Sequence, residues 1–227
     1  MPTRRTALSL IAGTGATLAL GAPAALARSA AGPRPFGRYG SPARRHDPGT
    51  LYADSPSLAV FARQYYRDCY VEGDVDFVFG RASAVYDRCH FRTLTRPGLA
   101  AAPHGFVFAP STAGADPYGY LVLCSRVTST APDGYYKLAR PWVPSSDPTA
   151  RPMLTVRDSR IGAGIDASAP YATMSAGHPW QDQRFAEHRN TAPGARITVP
   201  ANRPQLSASE ARAHTPARWL GDWRPLG

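Results

Sequence analysis

The residues best suited to chemistry lie in one stretch, Val71-Glu72-Gly73-Asp74-Val75-Asp76-Phe77-Val78-Phe79-Gly80. Asp76 stands between Val75 and Phe77 in a run too apolar to carry an unpaired charge cheaply, so it calls for a cation. Arg140, in Leu138-Ala139-Arg140-Pro141-Trp142, is the candidate. A guanidinium fork holds a carboxylate ionised and aimed. Two readings stay open at this point. An ionised, oriented carboxylate can attack an ester carbonyl and form an acyl-enzyme that water resolves. The same two residues could equally be a structural ion pair.

Strands and turns are the elements that must position such a pair. Of the 227 residues 43% are apolar, which excludes a disordered chain, and 23 prolines with 20 glycines argue against a helical bundle. Strand-like segments recur at Asp68-Cys69-Tyr70-Val71, Arg88-Cys89-His90-Phe91, Leu123-Cys124-Ser125-Arg126-Val127 and Val156-Arg157-Asp158-Ser159-Arg160-Ile161. When Cys69, Cys89, Ser125 and Ser159 are aligned, each small residue precedes a Val, Phe or Ile by two positions, which puts both on one strand face. Asp76-Phe77-Val78-Phe79-Gly80 and Gly105-Phe106-Val107-Phe108-Ala109 form a second repeat. Strand units recurring in this way predict a solenoid whose small residues stack inside a parallel β-coil, with a β-sandwich as the competing arrangement. The three cysteines are expected to be structural, buried as small hydrophobes, rather than a disulfide or a metal site. No acidic cluster of the kind that binds Ca²⁺ is evident.

The ends differ from the middle. Residues 1–27 have the layout of an export signal, possessing Arg4 and Arg5 in Thr3-Arg4-Arg5-Thr6-Ala7-Leu8, a weakly apolar run, and a small-x-small site at Ala25-Leu26-Ala27. The apolar run is short of the roughly 20 residues that span a bilayer, so a secreted, extracellular protein with no membrane association after signal removal is expected. Residues 28–49 form a Pro/Gly/Arg-rich linker, and 50–227 form the solenoid with a loop-rich, aromatic tail from Ala167 onward. Ser207 and Glu210 have capping-box spacing and predict a short helix ending before Pro216. The net charge of +10 comes from arginine, with Lys137 the only lysine. The arginines are scattered along the sequence, so nucleic acid is not an expected partner. An acidic polymer such as a uronate-rich polysaccharide is attracted to such a chain. A monomer is expected.

The Val71–Gly80 stretch resembles the signature of the pectinesterases, which run glycine, small residue, aliphatic, Asp-Phe-Ile/Val-Phe-Gly. Arg63-Gln64-Tyr65-Tyr66-Arg67-Asp68-Cys69-Tyr70, Ala109-Pro110-Ser111-Thr112, Leu138-Ala139-Arg140-Pro141-Trp142 and the segments 171–177 and 180–190 are similar to further family segments. The resemblance runs from about Thr50 to Trp219. It implies an all-β, right-handed single-stranded parallel β-helix, incomplete at its N-terminal end, that hydrolyses methyl esters of polygalacturonate without metal or organic cofactor. It also implies Asp76 as nucleophile, Arg140 as its orienter, and Trp142, Phe79 and Met174 as substrate-binding residues.

Two departures bear on activity. Family members carry Gln-Asp-Thr-Leu-Tyr upstream of the nucleophile, where the Asp is the general acid/base. This sequence has His46-Asp47-Pro48-Gly49-Thr50-Leu51-Tyr52. Aligned without a gap, Pro48 and Gly49 replace the Gln and Asp; with a two-residue gap, Asp47 takes the acid/base role. The family's N-terminal half, with an earlier oxyanion glutamine, has no counterpart. The alternative expectation is therefore a catalytically impaired truncated relative that at most binds pectin.

Overall fold

The computed structural model describes residues 51–225 and the strand Ala24–Arg28. Fourteen strands are laid down in chain order: β1 (Ala24–Arg28), β2 (Leu51–Tyr52), β3 (Arg63–Arg67), β4 (Tyr70–Gly73), β5 (Val75–Gly80), β6 (Ser83–Asp87), β7 (His90–Thr93), β8 (Gly105–Pro110), β9 (Tyr120–Leu123), β10 (Arg126–Ser129), β11 (Tyr136–Ala139), β12 (Met153–Arg157), β13 (Arg160–Ile161) and β14 (Arg184–His188). They form three sheets in the orders β1-β3-β6-β9-β12-β14, β13-β10-β7-β4 and β11-β8-β5-β2. Every pairing is parallel among those described. Neighbours within a sheet are two or three strands apart in the chain, so the chain turns through the three sheets in succession and stacks coil on coil. This is a parallel β-helix, and the sandwich alternative is excluded.

The turn between the first and second sheets repeats in each coil. Asp68, Arg88, Cys124, Asp158 and Arg189 all adopt left-handed backbone, with φ between 48° and 54°. The next residue points inward each time, giving a column of Cys69, Cys89, Ser125, Ser159 and Asn190. Ser125 Oγ accepts the Cys89 N–H at 2.9 Å, Ser159 Oγ that of Ser125 at 3.0 Å, and Asn190 Oδ1 that of Ser159 at 3.1 Å. Each side chain thus satisfies a turn amide that lacks a ladder partner. The aligned small residues are the inward column expected. Cys124 is a correction: it occupies the left-handed position itself, one residue before the inward one, and is exposed, whereas Cys69 and Cys89 are buried and free.

Val71, Phe91, Val127 and Ile161 stack in the core beside this column, and Phe91 packs edge-on against Tyr86 and Phe108 at 5.7 and 4.9 Å. Burying one such side chain stabilises the fold by roughly 1.5–3 kcal/mol. The tail is more regular than its composition suggests. It contributes β14, α1 (Ala208–Ala211) with the expected Ser207–Glu210 capping box, and α2 (Pro216–Leu220), a second helix that starts where the first was expected to have ended. Trp219 and Leu220 cover Tyr65, Val85, Leu121 and Met153 on the outer face of the first sheet, and the indole donates to the Gly119 carbonyl at 3.0 Å. A fully buried pair, Arg203 and Glu187, joined at 2.7 and 3.1 Å and completed by Tyr171 and Asn190, fastens the tail to the last coils. With its hydrogen-bonding groups satisfied, this pair avoids the cost of an isolated buried charge.

Candidate active site

Asp76 lies on β5 of the third sheet at a place where regular pairing fails. The register with β8 shifts between Val75 and Val78, and Asp76 has φ +50°, the left-handed region that aspartate tolerates better than most residues. A bulge of this kind re-aims a side chain, which explains why Phe106 pairs with Val75 rather than with Phe77, as the repeated Phe-Val-Phe spacing suggested. Gly105 makes the approach of β8 possible, since a Cβ there would lie 1.9 Å from the Asp74 carbonyl oxygen. The Asp74 carboxylate accepts the Val75 N–H at 2.9 Å and pairs with Arg96 at 3.6 Å, fixing the strand just before the bulge.

Arg140 meets Asp76 as the sequence predicted. Its Nε donates to Oδ1 at 2.9 Å and its Nη2 to Oδ2 at 2.5 Å, a two-point clasp that leaves the side chains 23% and 16% exposed. The carboxylate is thus held by a cation yet still reachable from solvent. Phe106, which the sequence reading missed, lies under the guanidinium, 4.1 Å from ring centroid to Cζ. Cation–π contact and the fork together fix the Arg140 plane.

An aromatic wall runs along the same face. Phe79 is stacked on Tyr52 at 4.4 Å and tilted against Trp142 at 5.8 Å. Tyr52 was not singled out in the sequence. The Leu51–Val78 and Tyr52–Phe79 pairings of β2 with β5 bring it there. Burial and a hydrogen bond to Asp54 push its hydroxyl up to about 12. The loop bearing Trp142 is anchored by the Trp142 N–H to Pro110 O bond at 2.9 Å and by Arg81 donating to Asp147 at 2.8 Å. Tyr52, Asp54, Ser55, Arg81, Ser111 and Trp142 line a shallow cleft beside the wall. Met174 is half-buried, three residues past the Ala139–Tyr171 bridge that runs alongside β11. Asp47 lies outside the described residues. Among the described residues no group of three or more His, Cys, Asp or Glu side chains could hold a metal ion, and no helix is long and apolar enough to cross a membrane.

The fold is thus a parallel β-helix that displays a carboxylate clasped at a bulge, beside an aromatic-walled cleft. The pectinesterase family model matches residues 49–222, and the chain belongs to that family. It is 32% identical to a pectinesterase of Ralstonia nicotianae over 164 residues, covering 64% of this chain and 41% of the relative. It is 38% identical to pectinesterase B of Dickeya dadantii over 127 residues, covering 51% and 28%. The matches thus span less than half the length of these relatives. Among solved structures, a pectin methylesterase from Yersinia enterocolitica matches with TM-score 0.66 and 28% identity over 78% of this chain and 57% of that one. A pectin methylesterase variant in complex with a hexasaccharide matches with TM-score 0.68 and 26% identity, over 78% and 55%. The fold is the right-handed parallel β-helix of these enzymes.

Proposed function

We propose that this chain is a secreted carboxylic-ester hydrolase that removes methyl groups from polygalacturonate in plant cell-wall pectin. The observation that carries this reading is the two-point Arg140–Asp76 clasp beside the Tyr52–Phe79–Trp142 wall. Asp76 attacks the ester carbonyl carbon, forming a C–O bond and an oxyanion. Collapse of the oxyanion expels methoxide, which takes a proton and leaves as methanol. Water then splits the resulting anhydride, releasing the uronate and regenerating Asp76. Arg140 holds Asp76 aimed through its two-point clasp, while Trp142, Phe79 and Met174 line the path of the sugar faces. The protonating acid is assigned to Asp47 or to water.

Residues 1–27 are proposed to be an export signal cleaved after Ala27, with 28–49 a linker to the β-helix. Because β1 pairs with β3 from Ala24 to Arg28, such cleavage would remove most of β1 and leave β3 at the sheet edge. The test of function is methanol release from highly methylated pectin by the purified chain. Methanol accumulating in step with free carboxylate supports the esterase. Pectin binding without methanol contradicts it.

A further inference from the structure

The outer face of the second sheet carries a charge pattern for which the ester site has no use. Val71, Phe91, Val127 and Ile161 point into the core. The residues just before them, Tyr70, His90, Arg126 and Arg160, therefore form an outward column, in register across β4, β7, β10 and β13. A second column, two residues further along, contains Glu72, Arg92 and Thr128. Parallel strands lie about 4.8 Å apart, so Arg126 and Arg160 are direct cross-strand neighbours of like charge, an arrangement that is unfavourable by itself.

Arg126 and Arg160 are both exposed, and among the described residues neither forms an ion pair. Arg196 is likewise exposed and unpaired. It borders a shallow depression with Asn190, Thr191 and Pro193, and Thr191 is bridged to Arg160, which continues the column into the next coil. The arginines of the adjacent turn contrast with these: Arg88 is paired with Asp68 and Arg189 with Asp158. Glu72, the one acid in the two columns, accepts a hydrogen bond from Tyr70 at the far end. Folding thus sets Arg126 and Arg160, far apart in the sequence, side by side along the β-helix axis on a different sheet from Asp76, with Arg196 on the depression at the end of their column.

We propose that this row is a second binding surface, separate from the Asp76 cleft, for a linear polymer of carboxylates: demethylated polyuronate. Guanidinium forks suit carboxylates, and a row stepping from coil to coil suits a polymer with one carboxylate per sugar. Fully methylated pectin offers no charge to this face, so the surface distinguishes the de-esterified polymer from the esterified one. The choice of a polyuronate among polyanions rests on the esterase reading; the charge pattern does not.

The experiment measures binding of fully demethylated polygalacturonate, which cannot turn over, to the purified chain and to an Arg126→Gln/Arg160→Gln/Arg196→Gln variant. The expected result is affinity weakened about tenfold or more, with a shallower salt dependence. Methanol release from a short methylated oligogalacturonate should be unchanged. Arg160→Glu, a single exposed reversal, serves as second variant should the triple change fail to fold; it too should weaken binding. Unaltered affinity in a folded variant overturns the proposal. So does displacement of polygalacturonate by an equal charge of duplex DNA. Absence of methanol release would count against the esterase alone, because the binding comparison needs no turnover.

Discussion

Replacing Arg140 separates the ways in which it acts on Asp76. Arg140→Lys keeps a positive charge but loses the fork, so at most one of the two contacts at 2.9 and 2.5 Å can be retained. Arg140→Ala also removes the cation over Phe106. A hydrogen bond to a charged group is worth about 1.5–3 kcal/mol, and partial exposure of both side chains lowers that figure. Arg140→Ala is therefore expected to cost about 2 kcal/mol, roughly 4–8 °C in Tm for a chain of this size, and Arg140→Lys about half as much. A double-mutant cycle with Asp76→Asn should return a coupling of about 1 kcal/mol. Activity should suffer more than stability. With Asp76 as the proposed nucleophile, loss of its aim should cost on the order of 10²-fold in kcat, while KM should hold because the Tyr52–Phe79–Trp142 wall is untouched. Methanol release on methylated pectin and thermal melts read the two effects, and added guanidinium should partly restore Arg140→Ala. An Arg140→Lys enzyme with full kcat would refute the argument that the fork orients Asp76.

Further expectations concern other parts of the molecule. In the ungapped alignment Gly49 stands where the family carries its general acid/base Asp. Gly49→Asp should therefore supply a general acid and raise kcat by about 10²-fold or more, and an unchanged or lower rate would count against that alignment. Thiol titration of the native protein should label Cys124 quickly, and Cys69 and Cys89 only on unfolding; rapid labelling of all three would contradict the inward column. Burial, together with Arg126 and Arg92, pushes the His90 imidazole down to about 4 from 6.5. The folded state thus favours neutral His90, and this contribution is present above pH 6.5 and lost as pH falls toward 4. Since His90 is only half-buried, the loss should be about 1 kcal/mol, seen as a lower Tm that His90→Gln flattens.

Much of the site was legible because its chemistry is local or its partner obligatory. An aspartate in an apolar strand demands a cation, and Arg140 supplied it across 64 residues. The period of small residues gave the solenoid because each coil must fill the same inward position. Cys124 misled because it is adjacent to Ser125 in the repeat and belongs to the left-handed turn column, whose members Asp68, Arg88, Asp158 and Arg189 share no residue type with it. The bulge at Asp76 left no compositional mark, since it arises from pairing with β8. Phe106, Tyr52 and the arginine row were hidden for a related reason: the sequence shows alternation within a strand, but which residues share an outer column depends on register between coils. The tail concealed β14 because Arg184-Phe185-Ala186-Glu187-His188 is charged at Arg184 and Glu187, which breaks the apolar alternation of a strand. One of them, Glu187, is buried against Arg203.

The central claim is that Asp76 is the nucleophile and not merely one half of a structural pair. Asp76→Asn tests it most directly, because asparagine matches the shape and also tolerates φ +50°. The account predicts a cooperatively folded variant, slightly less stable than the parent, whose methanol release from highly methylated pectin falls at least about 10³-fold. A folded Asp76→Asn variant that releases methanol at a rate near that of the parent would contradict it.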